Sequence, residues 1–122
     1  MLKAQLLSAI TTLFISGVSL ACDKPEAPTL PDGAAASEAQ MIDAQQAVKQ
    51  YLKLGDVYLK CLENVDRAAL AEAQKSGDAN AVAAAQQASK ARLVDYNGTV
   101  DAMQATGDQF NTQIKRFKAA QH

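Results

Sequence analysis

The chain has no tryptophan, aromatic residues make up 5% of its 122 positions, and its single histidine, His122, is the last residue. Histidine-based catalytic triads and histidine-rich metal sites therefore have no materials. There are two cysteines, Cys22 and Cys61, with no Cys-x-x-Cys pair, no glycine-rich phosphate loop and no acidic calcium loop. Neither charge sign is in excess: 12 Lys+Arg against 13 Asp+Glu leave a net charge of −1 at pH 7. That balance makes no electrostatic case for nucleic acid or for an anionic lipid surface as a partner. The acid pairs Asp95/Asp101 and Glu63/Asp66 fall at the spacing of an ordinary solvated helix face. The expectation is a protein that is not an enzyme and that carries no metal and no cofactor.

What is present is apolar and alanine-rich. Hydrophobic residues make up 48% of the chain, too many for a disordered polypeptide. Alanine alone occurs 25 times, so the core is expected to be thin. Residues 1–21, MLKAQLLSAITTLFISGVSLA, have the layout of a cleaved export signal. Lys3 makes a positive start, Leu6 to Leu20 form a short apolar stretch, and Ser19 and Ala21 supply small residues before Cys22. That stretch is shorter than the roughly 20 residues a spanning helix needs and is interrupted by Ser8, Thr11, Thr12 and Ser16. No later segment is apolar enough to span, so a periplasmic or secreted product is expected.

In an exported chain two cysteines allow one disulfide, Cys22–Cys61. The competing reading is a lipoprotein in which Cys22 is the lipidated first residue. Ser19-Leu20-Ala21-Cys22 fits that motif poorly, with leucine one place late, and lipidation would leave Cys61 unpaired. The disulfide is the preferred reading.

Residues 22–36 contain all three prolines, Pro25, Pro28 and Pro31, followed by the turn signal Asp32-Gly33. Such spacing favours an extended arm. Ser37-Glu38-Ala39-Gln40 then fits a capping box and opens a first helix, expected at about 38–75. Met41, Val48, Gly55, Leu62 and Ala69 form one column at seven-residue spacing; Ala44, Tyr51, Tyr58 and Val65 form the next. Leu52, Leu54 and Leu59 widen the face. Ser76-Gly77-Asp78 reads as a turn, and a second helix is expected at about 79–120. Its columns read Tyr96, Met103, Phe110, Phe117 and Leu93, Val100, Gly107, Ile114. Both run through Asn97-Gly98 without a change of phase, so a hairpin turn and a used glycosylation site are not expected there. Lys115, Arg116 and Lys118 read as a solvated last turn favoured by the helix dipole.

The predicted fold class is all-α: a long antiparallel, coiled-coil-like helical hairpin over residues 37–122, with the arm packed back along it. A turn at Gly77 pairs Leu62 with Leu93, Tyr58 with Tyr96, Gly55 with Val100, Tyr51 with Met103 and Val48 with Gly107. The glycines are expected to let the backbones approach. The arm can reach about 46 Å at 3.1 Å per residue, against about 36 Å from Ser37 to Cys61 along the helix.

The strings CDKPEAPTLPDG, YLKCLE and YNGTVDAMQ…FNTQIKRFK resemble short uncharacterised exported proteins of Gram-negative bacteria. The resemblance covers the whole chain after residue 21 and implies a small exported helical protein, with no activity to transfer. The functional expectation is an accessory or interaction protein of the cell envelope, docking on an unidentified envelope protein or on itself. The alternatives are a carrier of a small apolar ligand, in a slot near Gly55, Tyr58, Tyr96 and Val100, or a lipoprotein anchored through Cys22.

Overall fold

A computed structural model describes residues 22–121. The expected export signal, 1–21, lies outside the described residues. Two α-helices and no strand occur among the described residues: α1, Glu38–Ser76, and α2, Ala79–Ala120. The helices pack on each other as a hairpin-like pair.

Local chemistry sets their ends. The Ser37 hydroxyl accepts from the Gln40 N–H at 3.2 Å, and the Gln40 side chain accepts from the Ser37 N–H at 2.8 Å, closing a capping box. α1 stops at Gly77, whose φ of 65° is left-handed and whose N–H donates to the Gln74 carbonyl at 3.3 Å. A side chain at Gly77 would be strained by that φ. Asp78 then caps α2 by accepting from the Asn80 N–H at 3.0 Å. Two residues, Gly77 and Asp78, thus turn the chain. The helix runs unbroken through Asn97 and Gly98.

Cross-helix contacts run antiparallel, since Tyr58 meets Asp95, Glu63 meets Tyr96, and Asp66 meets both Arg92 and Ser89. On α1 the buried positions are Met41, Ala44, Val48, Tyr51, Gly55, Tyr58, Leu59 and Leu62. Apart from Leu59 they alternate three and four residues apart, the spacing of a coiled-coil seam. On α2 only Thr99, Thr106 and Phe110 are buried.

This corrects the expected second column of α2 at Leu93 and Val100, while Ile114 keeps its place against the core. Leu93 and Val100 are 59% and 38% exposed, and the seam column is Arg92, Thr99, Thr106, Gln113. Helix α2 is rotated so that Tyr96, Met103, Phe110 and Phe117 remain on the seam while a polar column takes the other side. Threonine tolerates that place because each hydroxyl is satisfied inside its own helix: Thr99 donates to the Asp95 carbonyl and Thr106 to the Ala102 carbonyl, both at 2.9 Å. Their methyl groups are left to pack. The expected facing pairs change with the rotation. Gly55 lies against Met103, not Val100: a Cβ there would come within 2.5 Å of the Met103 sulfur. Nothing lies within 4 Å of a Cβ built at Gly107, so it makes no close approach to Val48.

Residues 22–36 lie along the same pair. Lys24 pairs with Asp95 at 2.8 Å, and the Gly33 N–H donates to the Gln113 side chain at 2.8 Å. Asp32 pairs with Arg116 at 3.0 Å, so the C-terminal basic cluster is not wholly solvated. Asp32 also shapes a turn, its carbonyl accepting from the N–H groups of Ala35 and Ala36 and its carboxylate from Ala34. Leu30 and Ala36 pack against a core of Met41, Ala44, Val48 and Phe110, with Leu52, Ile114 and Phe117 around it. Gly33 is buried so close to α2 that a Cβ would sit 2.0 Å from the Gln113 carbonyl oxygen. Only glycine fits there.

Candidate functional site

Cys22 and Cys61 are joined by a disulfide across a sequence separation of 39, with Cα atoms 5.7 Å apart. A sulfur bonded to Cys61 has no valence left for a lipid thioether, so the Cys22 anchor is incompatible with this arrangement. No free cysteine remains among the described residues.

Two residues beyond the disulfide, Lys24 reaches the carboxylate of Asp95, and Tyr58 donates its hydroxyl to the other carboxylate oxygen. Arm, α1 and α2 meet at this one acid. The Lys24 hydrogen bond, and after it that of Tyr58, holds the Asp95 carboxyl below its usual range. The same bond, seen from the phenol, pushes Tyr58 up to about 12, with burial adding to it. The effect is to keep Asp95 charged and Tyr58 protonated. Such a cluster holds elements together, and neither group is set to exchange a proton near neutral pH.

A second polar cluster lies closer to the turn. Asp66 accepts from Arg92 at 2.7 Å and from Ser89 at 3.0 Å, and these bonds, that of Ser89 first, lower its carboxyl. The Tyr96 hydroxyl donates to Glu63 at 3.2 Å, which raises the phenol. Beside these groups is an open cleft of about 260 Å³, lined on its apolar side by Leu62, Leu93 and Tyr96. Of the four residues expected to form a ligand slot, Tyr96 alone lines this cleft. Gly55 and Tyr58 are buried in the seam, where Met103 fills the space beside the glycine, and Val100 faces outward.

The larger exposed side chains are apolar in two places. Ile42, Leu54 and Val57 are exposed on α1, and Leu93, Val94 and Val100 on α2. Leu93 and Val100 belong to a stripe that alternates apolar residues (Leu93, Val100, Gly107 and, packed against the core, Ile114) with amides (Asn97, Gln104, Asn111). It bears no charge over 22 residues of a chain in which 20% of residues are charged. The stripe escaped the sequence reading because its apolar column had been assigned to the seam. Its signal is the amide column three to four residues out of step.

Among the described residues no group of three or more His, Cys, Asp or Glu side chains is arranged to hold a metal ion, and no helix is long and apolar enough to cross a membrane. No protein-family model matches the chain, and no curated protein and no solved structure shows significant similarity to it.

Proposed function

We propose that the chain is an exported, non-enzymatic interaction protein of the cell envelope, in which a disulfide-stapled helical hairpin presents one face to a protein partner or to a second copy of itself. The proline-rich arm serves as a third structural element, filling one groove of the hairpin. The observation that carries this reading is the unequal treatment of the two sides of the helix pair. One side receives Leu30, Gly33 and Lys24. The other leaves Leu93 and Val100 in solvent. A disulfide is costly to maintain in a reducing cytosol and common outside it, which supports a periplasmic or secreted location.

The test is to express the full-length gene with a C-terminal tag, fractionate the cells, and purify the protein from the envelope after mild cross-linking. The expected outcome is a periplasmic or secreted protein beginning at Cys22, recovered with one stoichiometric protein partner or as a cross-linked dimer. A cytosolic, reduced protein overturns the reading. Recovery of an extractable apolar small molecule with no protein partner favours a carrier, for which the cleft beside Tyr96 is the place to look.

A further inference from the structure

We propose that the Cys22–Cys61 disulfide is an exchangeable latch. A thiol reductant that reaches it along the groove beside Cys61 opens the bond and frees residues 22–29, while residues 30–36 and the hairpin stay packed. The first half of the arm thus closes or opens with the thiol poise of its surroundings. The inference goes beyond the interaction-protein reading, since it needs only the disulfide and the arm.

The bond is open to attack. Cys22 and Cys61 are both only partly buried. Cys61 lines an open groove of about 450 Å³ together with Val57, Lys60, Asn64 and Val65. The attacking species in exchange is a thiolate, and its access to the sulfur sets the rate. The Lys60 ammonium on the groove wall supplies the positive charge that draws it in. The bond also stands apart from the cluster that Leu30 and Ala36 cover. On α1 that cluster ends at Leu52, about 14 Å along the helix from Cys61. Closer to the bond, Tyr58 and Leu62 are buried in the seam with α2, which the disulfide does not join.

The two halves of the arm are held by different means. From Leu30 onward the chain is fixed by burial: Leu30 and Ala36 pack on the core, Gly33 is buried against α2, and Asp32 shapes a hydrogen-bonded turn. Among the described residues, the polar tie of the 23–29 segment is the Lys24–Asp95 pair, whose side chains are 56% and 37% exposed. A pair so exposed, with the half-buried Pro25 and Pro28, does not offset the entropy of ordering that segment once its end is free. In the exchange a thiolate attacks the Cys61 sulfur, forming a mixed disulfide and releasing Cys22 as a thiolate that takes a proton from water. A second thiol attacks the reductant's sulfur, which closes the reductant's own disulfide and releases Cys61, protonated in turn. Two thiols are oxidised and one disulfide is reduced. The short tether from Leu30 keeps Cys22 at high effective concentration near Cys61, so an oxidant closes the latch again.

The experiment is reduction of the oxidised protein beginning at Cys22 by glutathione, with free thiols trapped by alkylation and counted by mass spectrometry. Reduction is expected without urea, at a rate that urea below the unfolding transition leaves unchanged. Lys60→Glu, at an exposed position, is expected to slow reduction about three- to tenfold with an unaltered melting curve. In the reduced protein, amide heteronuclear NOEs are expected to collapse at Asp23, Lys24, Glu26, Ala27 and Thr29. Those of Gly33 to Ala36 and of both helices should keep folded values. A disulfide that glutathione reaches only through unfolding, its reduction accelerating with urea as unfolding does, overturns the inference. So does a reduced protein in which residues 23–29 stay rigid, or one that loses its helices. A Lys60→Glu rate equal to that of the wild type places the attack away from the groove and overturns it as well.

Discussion

Tyr58 on the first helix donates its hydroxyl to Asp95 on the second, and the same carboxylate takes Lys24 of the arm. Both directions of pH follow from this one acid. The folded state holds the Tyr58 proton more tightly than the unfolded chain does, so its contribution is complete below the ordinary phenol value of about 10 and is lost between there and about 12. Asp95 and Asp66 are held below the usual carboxyl range. Their contribution is complete above about 4 and is lost as the pH falls past it. Urea unfolding followed by circular dichroism should show a plateau at pH 6–9 and losses on both sides. Tyr58→Phe should lower the plateau by about 1–2 kcal/mol and flatten the alkaline limb.

Reduction of Cys22–Cys61 should cost about 3–4 kcal/mol, the loop-closure entropy restored to an unfolded chain no longer tied across about 40 residues. Chemical denaturation with and without a phosphine reductant measures it directly. Mass spectrometry of the unreduced protein should find it two hydrogens light.

Glycine substitutions should separate by position, not by helix propensity. Gly33→Ala drives a methyl into the Gln113 carbonyl and is expected to cost about 2–3 kcal/mol. Gly98→Ala meets nothing within 4 Å and lies inside α2, so it should stabilise by about 0.5–1 kcal/mol. The two variants are compared by thermal melting. Equal effects would contradict the burial of Gly33.

Deleting residues 22–35 removes the disulfide, the Lys24 and Asp32 ion pairs, and the cover that Leu30 gives to the Met41, Val48 and Phe110 core. A protein beginning at Ala36 should melt at a lower temperature and bind an apolar dye. An unchanged melting curve would make the arm a tether.

Much of α1 was legible because its seam is built from residue types that announce themselves. Met41, Val48, Tyr51, Tyr58 and Leu62 recur at helical spacing and are the residues that bury. The caps at Ser37, Gly77 and Asp78 were legible for the same reason, each being a residue type with a known backbone role. Half of the α2 seam was not legible. A hydrophobicity pattern selects Leu93 and Val100, whereas Thr99 and Thr106 bury because their hydroxyls are already satisfied by the helix and their small size lets α1 come close. Nor does spacing show Asp95 as the meeting point of three segments. That depends on the rotation of α2, which the arm helps to set through Lys24 and Gln113.

The buried side chains of α1 end at Leu62, and those of α2 begin at Thr99. From there to the Gly77 turn the chain is alanine-rich and has no fully buried residue. The disulfide at Cys61 stands at this border. The turn-proximal half of the hairpin can therefore open on its own, and its amides should exchange with solvent far sooner than those beneath the arm. The disulfide joins the arm to α1 at this border, and Lys24 carries the arm on to Asp95 of α2, so the protein has a fraying end at the turn and an end held by its arm.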